Sequence, residues 1–147
     1  MHKIIFTTLY TFLAVSNAFA ANNYKISSKE ICKAAIATIN FKHPREISIE
    51  KVDNNIVYLS YIRSSDETKW STMCKIENNR VVWASIFNSN RAYDILYRKT
   101  NNTSTGRWRN NKEDPEITFT AINNLVDIRE TYGDGSSTIK SFDINQL

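Results

Sequence analysis

Glycine and histidine are scarce in this sequence, and their scarcity restricts the chemistry that the chain can carry out. The 147 residues include three glycines and two histidines. They contain no glycine-rich phosphate loop, no H-E-x-x-H helix and no G-x-S-x-G turn, which excludes P-loop nucleotide binding, zincin-type proteolysis and α/β-hydrolase catalysis. His43 is followed by Pro44, so we expect a surface loop residue there rather than a catalytic base.

The first twenty residues have the three-part layout of a bacterial secretory signal. Met1–Lys3 carries positive charge, Ile4–Val15 is almost continuously apolar, and Ala18–Ala20 has small residues at the two positions that signal peptidase reads. The apolar run is shorter than the roughly 20 residues that span a bilayer, which disfavours the alternative of a retained anchor helix. We therefore predict a signal peptide over residues 1–20 and a single mature domain over residues 21–147, periplasmic or secreted and without a stable membrane span.

Cysteine is also scarce, since the chain contains only Cys32 and Cys74. The two are too far apart for a C-x-x-C redox motif, although a reactive thiol stays as the functional alternative. An even number of cysteines in an exported chain favours a disulfide, which would close a loop of about 43 residues. Once that pair is oxidised, the mature chain lacks nitrogen and thiolate ligands for zinc, and we expect no metal or cofactor.

Charge is modest and evenly distributed along the chain. Lys3 leaves with the signal, so 18 basic and 15 acidic residues give the mature protein a net charge of +3. Such mild positive charge does not indicate a nucleic-acid partner. Adjacent carboxylates occur at Asp66–Glu67 and Glu113–Asp114, beside turns where acidic residues are common. A glycosidase with two catalytic carboxylates stays an alternative, because its acids can come from anywhere in the chain.

A single helix is predicted near the mature N-terminus. Ser27 and Glu30 form an S-x-x-E capping box that begins it. One apolar stripe with helical spacing then follows at Ile31, Cys32, Ala35, Ile36 and Ile39. Asn40 can end the helix, and the following Pro44 prevents its continuation.

The rest of the chain alternates with the period of two that is typical of strands. Seven strands are predicted, over roughly residues 47–50, 56–62, 69–77, 80–87, 117–121, 126–132 and 136–144. Tight polar turns separate most of them, so consecutive strands are expected to pair antiparallel. The predicted class is α+β and mostly β, with the helix on a bent meander sheet or a partly closed barrel. In the last strand, Ile139 and Phe142 would lie on opposite faces, which suggests a bulge.

The segment Asn88–Asn111 interrupts this pattern and is long for a connection between strands. Tryptophan, tyrosine and arginine, the residues that contribute most energy to protein interfaces, are concentrated in it. The binding candidates are Trp108, Arg107, Arg109, Arg91, Tyr93 and Tyr97. In the alternative interpretation, Trp108 packs against the open end of the sheet and the arginines lie in solvent. Trp70 and Trp83 alternate within strands and are predicted to belong to the core.

The chain from Ile31 to Leu147 resembles a loose group of small exported proteobacterial proteins with no assigned activity. The similarity rests on the segments Ile31–Ala37, Tyr58–Tyr61, Gly106–Arg109, Gly133–Ser137 and Lys140–Phe142. The group has one cysteine on a helix and one on a strand, which implies the same arrangement here. The stretch between Phe87 and Gly106 is longer than in that group.

These features favour a non-enzymatic exported protein that binds another macromolecule. An inhibitor, an immunity protein or an envelope-assembly factor would suit a small disulfide-linked β domain, and the partner is then another envelope or secreted protein. A small hydrolase of the cell wall and a carbohydrate-binding module are the alternatives. Two carboxylates about 5–10 Å apart in a cleft would favour the hydrolase, and a flat row of exposed rings would favour sugar binding.

Overall fold

The computed structural model describes residues 26–86 and 106–147 of the chain. The predicted signal peptide and the candidates Arg91, Tyr93 and Tyr97 lie outside these ranges. Helix α1 spans Ser28–Ile39, and short 3-10 turns follow at Pro44–Glu46 and Ile144–Gln146. The strands are β1 Ser48–Asp53, β2 Ile56–Arg63, β3 Thr68–Glu77, β4 Arg80–Ile86, β5 Glu116–Ile122, β6 Leu125–Thr131 and β7 Ser137–Asp143. The predicted strands agree with these bounds to within one or two residues at most ends.

The sequence signals for α1 are confirmed. The Glu30 carboxylate accepts a 2.7 Å hydrogen bond from the backbone N–H of Ser27, the residue before the first turn. All of the predicted stripe is buried except Ile39, which is half-buried and packs against the core. Within the described ranges, no helix is both long and apolar enough to cross a membrane.

Consecutive strands pair antiparallel, and the spatial order of the sheet is the chain order from β1 to β7. The sheet is not closed, so the fold is the open meander and not the partly closed barrel. Helix α1 lies against β1, β2, β3, β4 and β6, and the sheet therefore curves around it. We call the face that packs on α1 the inner face and the opposite one the outer face.

The core fills the space between α1 and the inner face. Its fully buried strand residues include Val57, Leu59, Val126 and Ile128. Trp70 and Trp83 are half-buried and pack against this core, as predicted. The Cys32–Cys74 disulfide is present and joins α1 to β3. Helix and sheet are thus linked covalently through the middle of the core.

The predicted bulge in the last strand is wrong. The pairing of β7 with β6 runs without a shift from Ser137 opposite Thr131 to Asp143 opposite Leu125. Because the strand is regular, Phe142 points inward and packs against the core, whereas Ile139 lies on the outer face and is 50% exposed. An aliphatic side chain therefore faces solvent on an edge strand.

Candidate interaction surface

Residues Gly106–Arg109, in the described end of the long segment, run along β4 without forming a regular strand. The Gly106 N–H donates to the Ser85 carbonyl and the Arg109 N–H to the Trp83 carbonyl, each at 2.7 Å. Arg109 pairs antiparallel with Trp83. Side-chain contacts place Trp108 on one face, beside Lys75, and the two arginines that flank it on the other, where both reach Asp114.

Both arginines bind Asp114. The Arg107 guanidinium donates to the two Asp114 oxygens at 2.5 and 2.7 Å, and Arg109 donates to one of them at 3.3 Å. The Asn111 N–H adds a fourth hydrogen bond at 3.0 Å, and the carboxylate side chain is only 4% exposed. These bonds, those from Arg107 above all, hold the pKa of Asp114 far below its usual range. These hydrogen bonds hold the loop between Arg109 and β5 together. Both guanidinium groups therefore already have a carboxylate partner within the chain.

Trp108 is half-buried and lies across the outer face of β4. The Lys75 ammonium is 4.9 Å from its ring centroid, although Lys75 belongs to β3, one strand beyond β4. Since neighbouring strands are about 4.8 Å apart, the Trp108 and Lys75 side chains together cross the outer face of β4 to meet. In this register Trp108 stands opposite Ala84, which is fully buried along with Val82. This geometry supports the packing interpretation of Trp108 more than the role of an exposed anchor.

The open edge of the sheet at β7 offers a different kind of surface. Hydrogen bonds from the Tyr132 N–H to the Ser136 carbonyl and from the Ile144 N–H to the Asn124 carbonyl mark both ends of the β6–β7 ladder. Both bonds fit the register of β6 and β7, and in an antiparallel pair only every second residue exchanges backbone hydrogen bonds with the neighbouring strand. Because Ser136 and Ile144 are bonded, the residues of β7 with even numbers bond to β6. Lys140 and Phe142 therefore direct their backbone groups toward β6. Ile139 and Ser141 direct their N–H and C=O groups outward, to the open edge.

The opposite edge, β1, is protected. Its register shifts between Ile49 and Lys51, which places a bulge in the strand. The Glu50 side chain accepts from the Ser60 hydroxyl at 2.5 Å and pairs with Lys69 at 2.8 Å. Bulges and charged side chains are the usual means of preventing a further strand from pairing at an edge. Strand β7 has neither a bulge nor a proline, and Lys140 and Asp143 are its charged residues.

Phe41 lies beside the inner side of β7. It follows α1 with a positive φ of 53°, and the N–H groups of Phe41 and Lys42 donate to the carbonyls of Thr38 and Ala37. This is the Schellman termination, at whose left-handed position glycine is preferred because a Cβ costs roughly 1 kcal/mol. The ring is nevertheless 82% exposed, and the Lys140 ammonium stands 5.2 Å from its centroid. An aromatic side chain thus occupies a position that neither its backbone conformation nor burial favours.

We refer to Phe41, Leu125, Ile139, Lys140 and Ser141 together as the β7 edge surface. Leu125 is half-exposed on the outer face, opposite Asp143 at the far end of β7. A shallow depression adjoins the surface and is lined by Thr118, Phe119, Thr120, Asp127, Arg129 and Ile139. This surface combines backbone groups that have no hydrogen-bond partner among the described residues, the exposed Phe41 ring, aliphatic side chains and one cation.

Comparison of the chain with protein-family models, curated proteins and solved structures finds no match. In the described part of the chain, no group of three or more histidine, cysteine or carboxylate residues is arranged to hold a metal ion. His43 is an exposed loop residue, and its Nδ1 accepts from the Arg45 N–H at 3.2 Å. A functional proposal therefore rests on the sequence and the structure of this chain.

The sequence interpretation missed the β7 edge surface, although one signal pointed to it. Ile139 is out of phase with the inward residues of its strand, a mismatch from which the sequence predicts a bulge. An apolar residue out of phase is equally expected where a strand has a second apolar contact on its other face. Phe41 carried no comparable signal, because its exposure depends on where α1 ends relative to β7.

Proposed function

We propose that this chain is an exported, non-enzymatic protein that binds another envelope or secreted protein through the β7 edge surface. The signal-like leader and the Cys32–Cys74 disulfide support export, because structural disulfides form and persist mainly in oxidising compartments. An inhibitor, an immunity protein or an assembly factor of the envelope fits this description.

The observation that carries the proposal is the difference between the two edges of the sheet. Proteins that act alone usually protect both edges, since an unprotected edge is a template for pairing with another chain. Here β1 has a bulge and a cross-strand ion pair between Glu50 and Lys69, whereas β7 is regular and presents Ile139 to solvent. The bulge on β1 and its absence from β7 support a β7 edge that is kept open for a partner.

Photo-crosslinking in the exporting cells tests this proposal. A photoreactive amino acid at Ile139 should yield one dominant protein adduct, and the same amino acid at Val52 on β1 should yield little. Val52 is a matched control because it is a 42% exposed aliphatic residue on the other edge strand. Equal yields at the two positions, or no adduct at Ile139, would refute binding at the β7 edge surface.

A further inference from the structure

The geometry points to an extended, acidic segment of the partner that adds to β7 as an eighth strand, with a carboxylate opposite Lys140. This inference rests on the proposed function and names the chemistry of the partner at the same surface. Its three supports are the backbone groups of β7, the cation on its inner side and the poor fit of a second copy of the chain.

The backbone supplies the first support. Ile139 and Ser141 each direct one N–H and one C=O to the open edge, which makes two donors and two acceptors at the spacing of a strand. Among the described residues, no backbone hydrogen bond to these groups is found beyond the β6–β7 ladder. In recognition by strand addition, main-chain hydrogen bonds of this kind supply affinity and alternate side chains supply specificity.

Lys140 supplies the second support. Its side chain is on the inner side of β7, and among residues 26–86 and 106–147 no carboxylate lies within ion-pairing distance of its ammonium. The ammonium is instead 5.2 Å from the exposed Phe41 ring. The side chain opposite Lys140 in an added strand would lie beside both groups. A glutamate or aspartate satisfies the cation, and the neighbouring inward side chain can cover the ring.

A second copy of this chain fits the same edge poorly. When two copies pair antiparallel through β7 with their inner faces on the same side, a two-fold axis relates them. One residue of β7 then lies directly opposite the same residue of the other copy, at the centre of the pairing. A centre at Lys140 places the two lysines directly opposite each other. A centre at Ile139 or Ser141 makes them diagonal neighbours, about 7–8 Å apart, where like charges still repel. An acidic partner strand removes this conflict.

The test uses two probes, a seven-residue peptide of alternating valine and glutamate and its counterpart with lysine in place of glutamate. The length matches the seven residues of β7. The glutamate peptide should bind at least about tenfold more tightly than the lysine peptide, and Lys140→Glu should reverse this preference. In amide exchange, the Ile139 and Ser141 N–H groups should exchange quickly in the free protein, because they point to the open edge, and the bound peptide should slow them.

A proline substitution on β7 distinguishes binding by strand addition from binding by side-chain contacts alone. Ser141→Pro removes an outward N–H without removing a bond to β6, and should weaken glutamate-peptide binding by about tenfold. Ser141→Ala retains that N–H and should bind within about twofold of the original protein. If Ser141→Pro does not fold, the Lys140→Glu reversal and the exchange pattern still decide the question.

Several results would overturn the inference. They are an unchanged preference in Lys140→Glu, no slowing of the two outward amides, and a folded Ser141→Pro variant that binds normally. An Ile139 adduct of twice the protein's mass would identify a second copy as the occupant. If an Ile139 crosslink to a different protein persists in Ser141→Pro, the proposed function stands and strand addition is rejected. If no crosslink forms at all, both are rejected.

Discussion

One carboxylate, Asp114, binds both arginines of the Gly106–Arg109 segment. From the sequence, two arginines around a tryptophan resemble the centre of a protein interface. In the structure both guanidinium groups donate to a nearly buried carboxylate. A partner would have to replace charge-assisted hydrogen bonds that already exist. We therefore expect these arginines to contribute to stability, and the role in association predicted from the sequence stays a prediction.

Asp114→Asn should lower the free energy of unfolding at pH 7 by about 2 kcal/mol, the scale of hydrogen bonds to a charged group. The folded pKa of Asp114 lies below its unfolded value of about 3.9. The stabilisation is therefore complete above about pH 4 and is lost as the pH falls toward the folded pKa. Urea unfolding between pH 2 and 7 should show a smaller loss below pH 4 in the variant than in the original protein.

Glu113→Gln is the matched control for that measurement. It removes the same charge from the neighbouring residue, which is exposed, and substitutions at exposed positions usually change stability by less than about 0.5 kcal/mol. An equal effect of the two substitutions would show that net charge matters and that the contacts of Asp114 do not.

Trp108→Ala tests whether the half-buried ring contributes to packing. Truncation of a fully buried tryptophan costs about 3–5 kcal/mol, so a ring that covers β4 on one side should cost about 1–3 kcal/mol. Trp108→Phe, which keeps a ring over Ala84, should recover most of that loss. Chemical denaturation measures both variants. An unchanged midpoint in Trp108→Ala would mean that the ring is free, which restores its role as an interface anchor.

At the scale of the elements, local sequence patterns predicted the helix, most of the turns and the order of the strands. The helix followed from its capping box and stripe, and the turns followed from asparagine and glycine. Asn54 and Asn55 both have positive φ, which tight hairpins require. Strand order then followed from the short turns, because consecutive strands with such connections pair as neighbours. These features depend on residues close in sequence, and for that reason they could be predicted.

The candidate surface depends on contacts between distant residues, and it could not be predicted in the same way. Whether the sheet closes is determined by its accumulated curvature around α1, which no turn encodes. If β1 had paired with β7, Ile139 and Ser141 would have had backbone partners. The pairing of Arg109 with Trp83 and the position of Asp114 likewise require the segment to return along β4. Sequence spacing alone contains no information on that return.

At the scale of the whole molecule, the Cys32–Cys74 bridge links helix α1 to β3, the third of the seven strands. Replacing both cysteines by alanine should lower the free energy of unfolding by about 2–4 kcal/mol, because the unfolded chain regains the freedom of a loop of about 43 residues. The same loss of constraint should raise the dependence of unfolding on urea, since a less compact unfolded state exposes more surface. Equilibrium urea unfolding of the exported protein and the double variant measures both quantities.

Reduction of the original protein controls for the small cavity that the two alanines leave. Both cysteines are fully buried, so the double variant also loses two sulfur atoms from the core. The reduced protein retains those atoms and loses only the covalent link. If the link itself stabilises the domain, the reduced protein should show most of the destabilisation and the same steeper urea dependence. Free thiols at both positions in protein taken directly from the cell envelope would contradict the bridge, and with it the support that the disulfide gives to export.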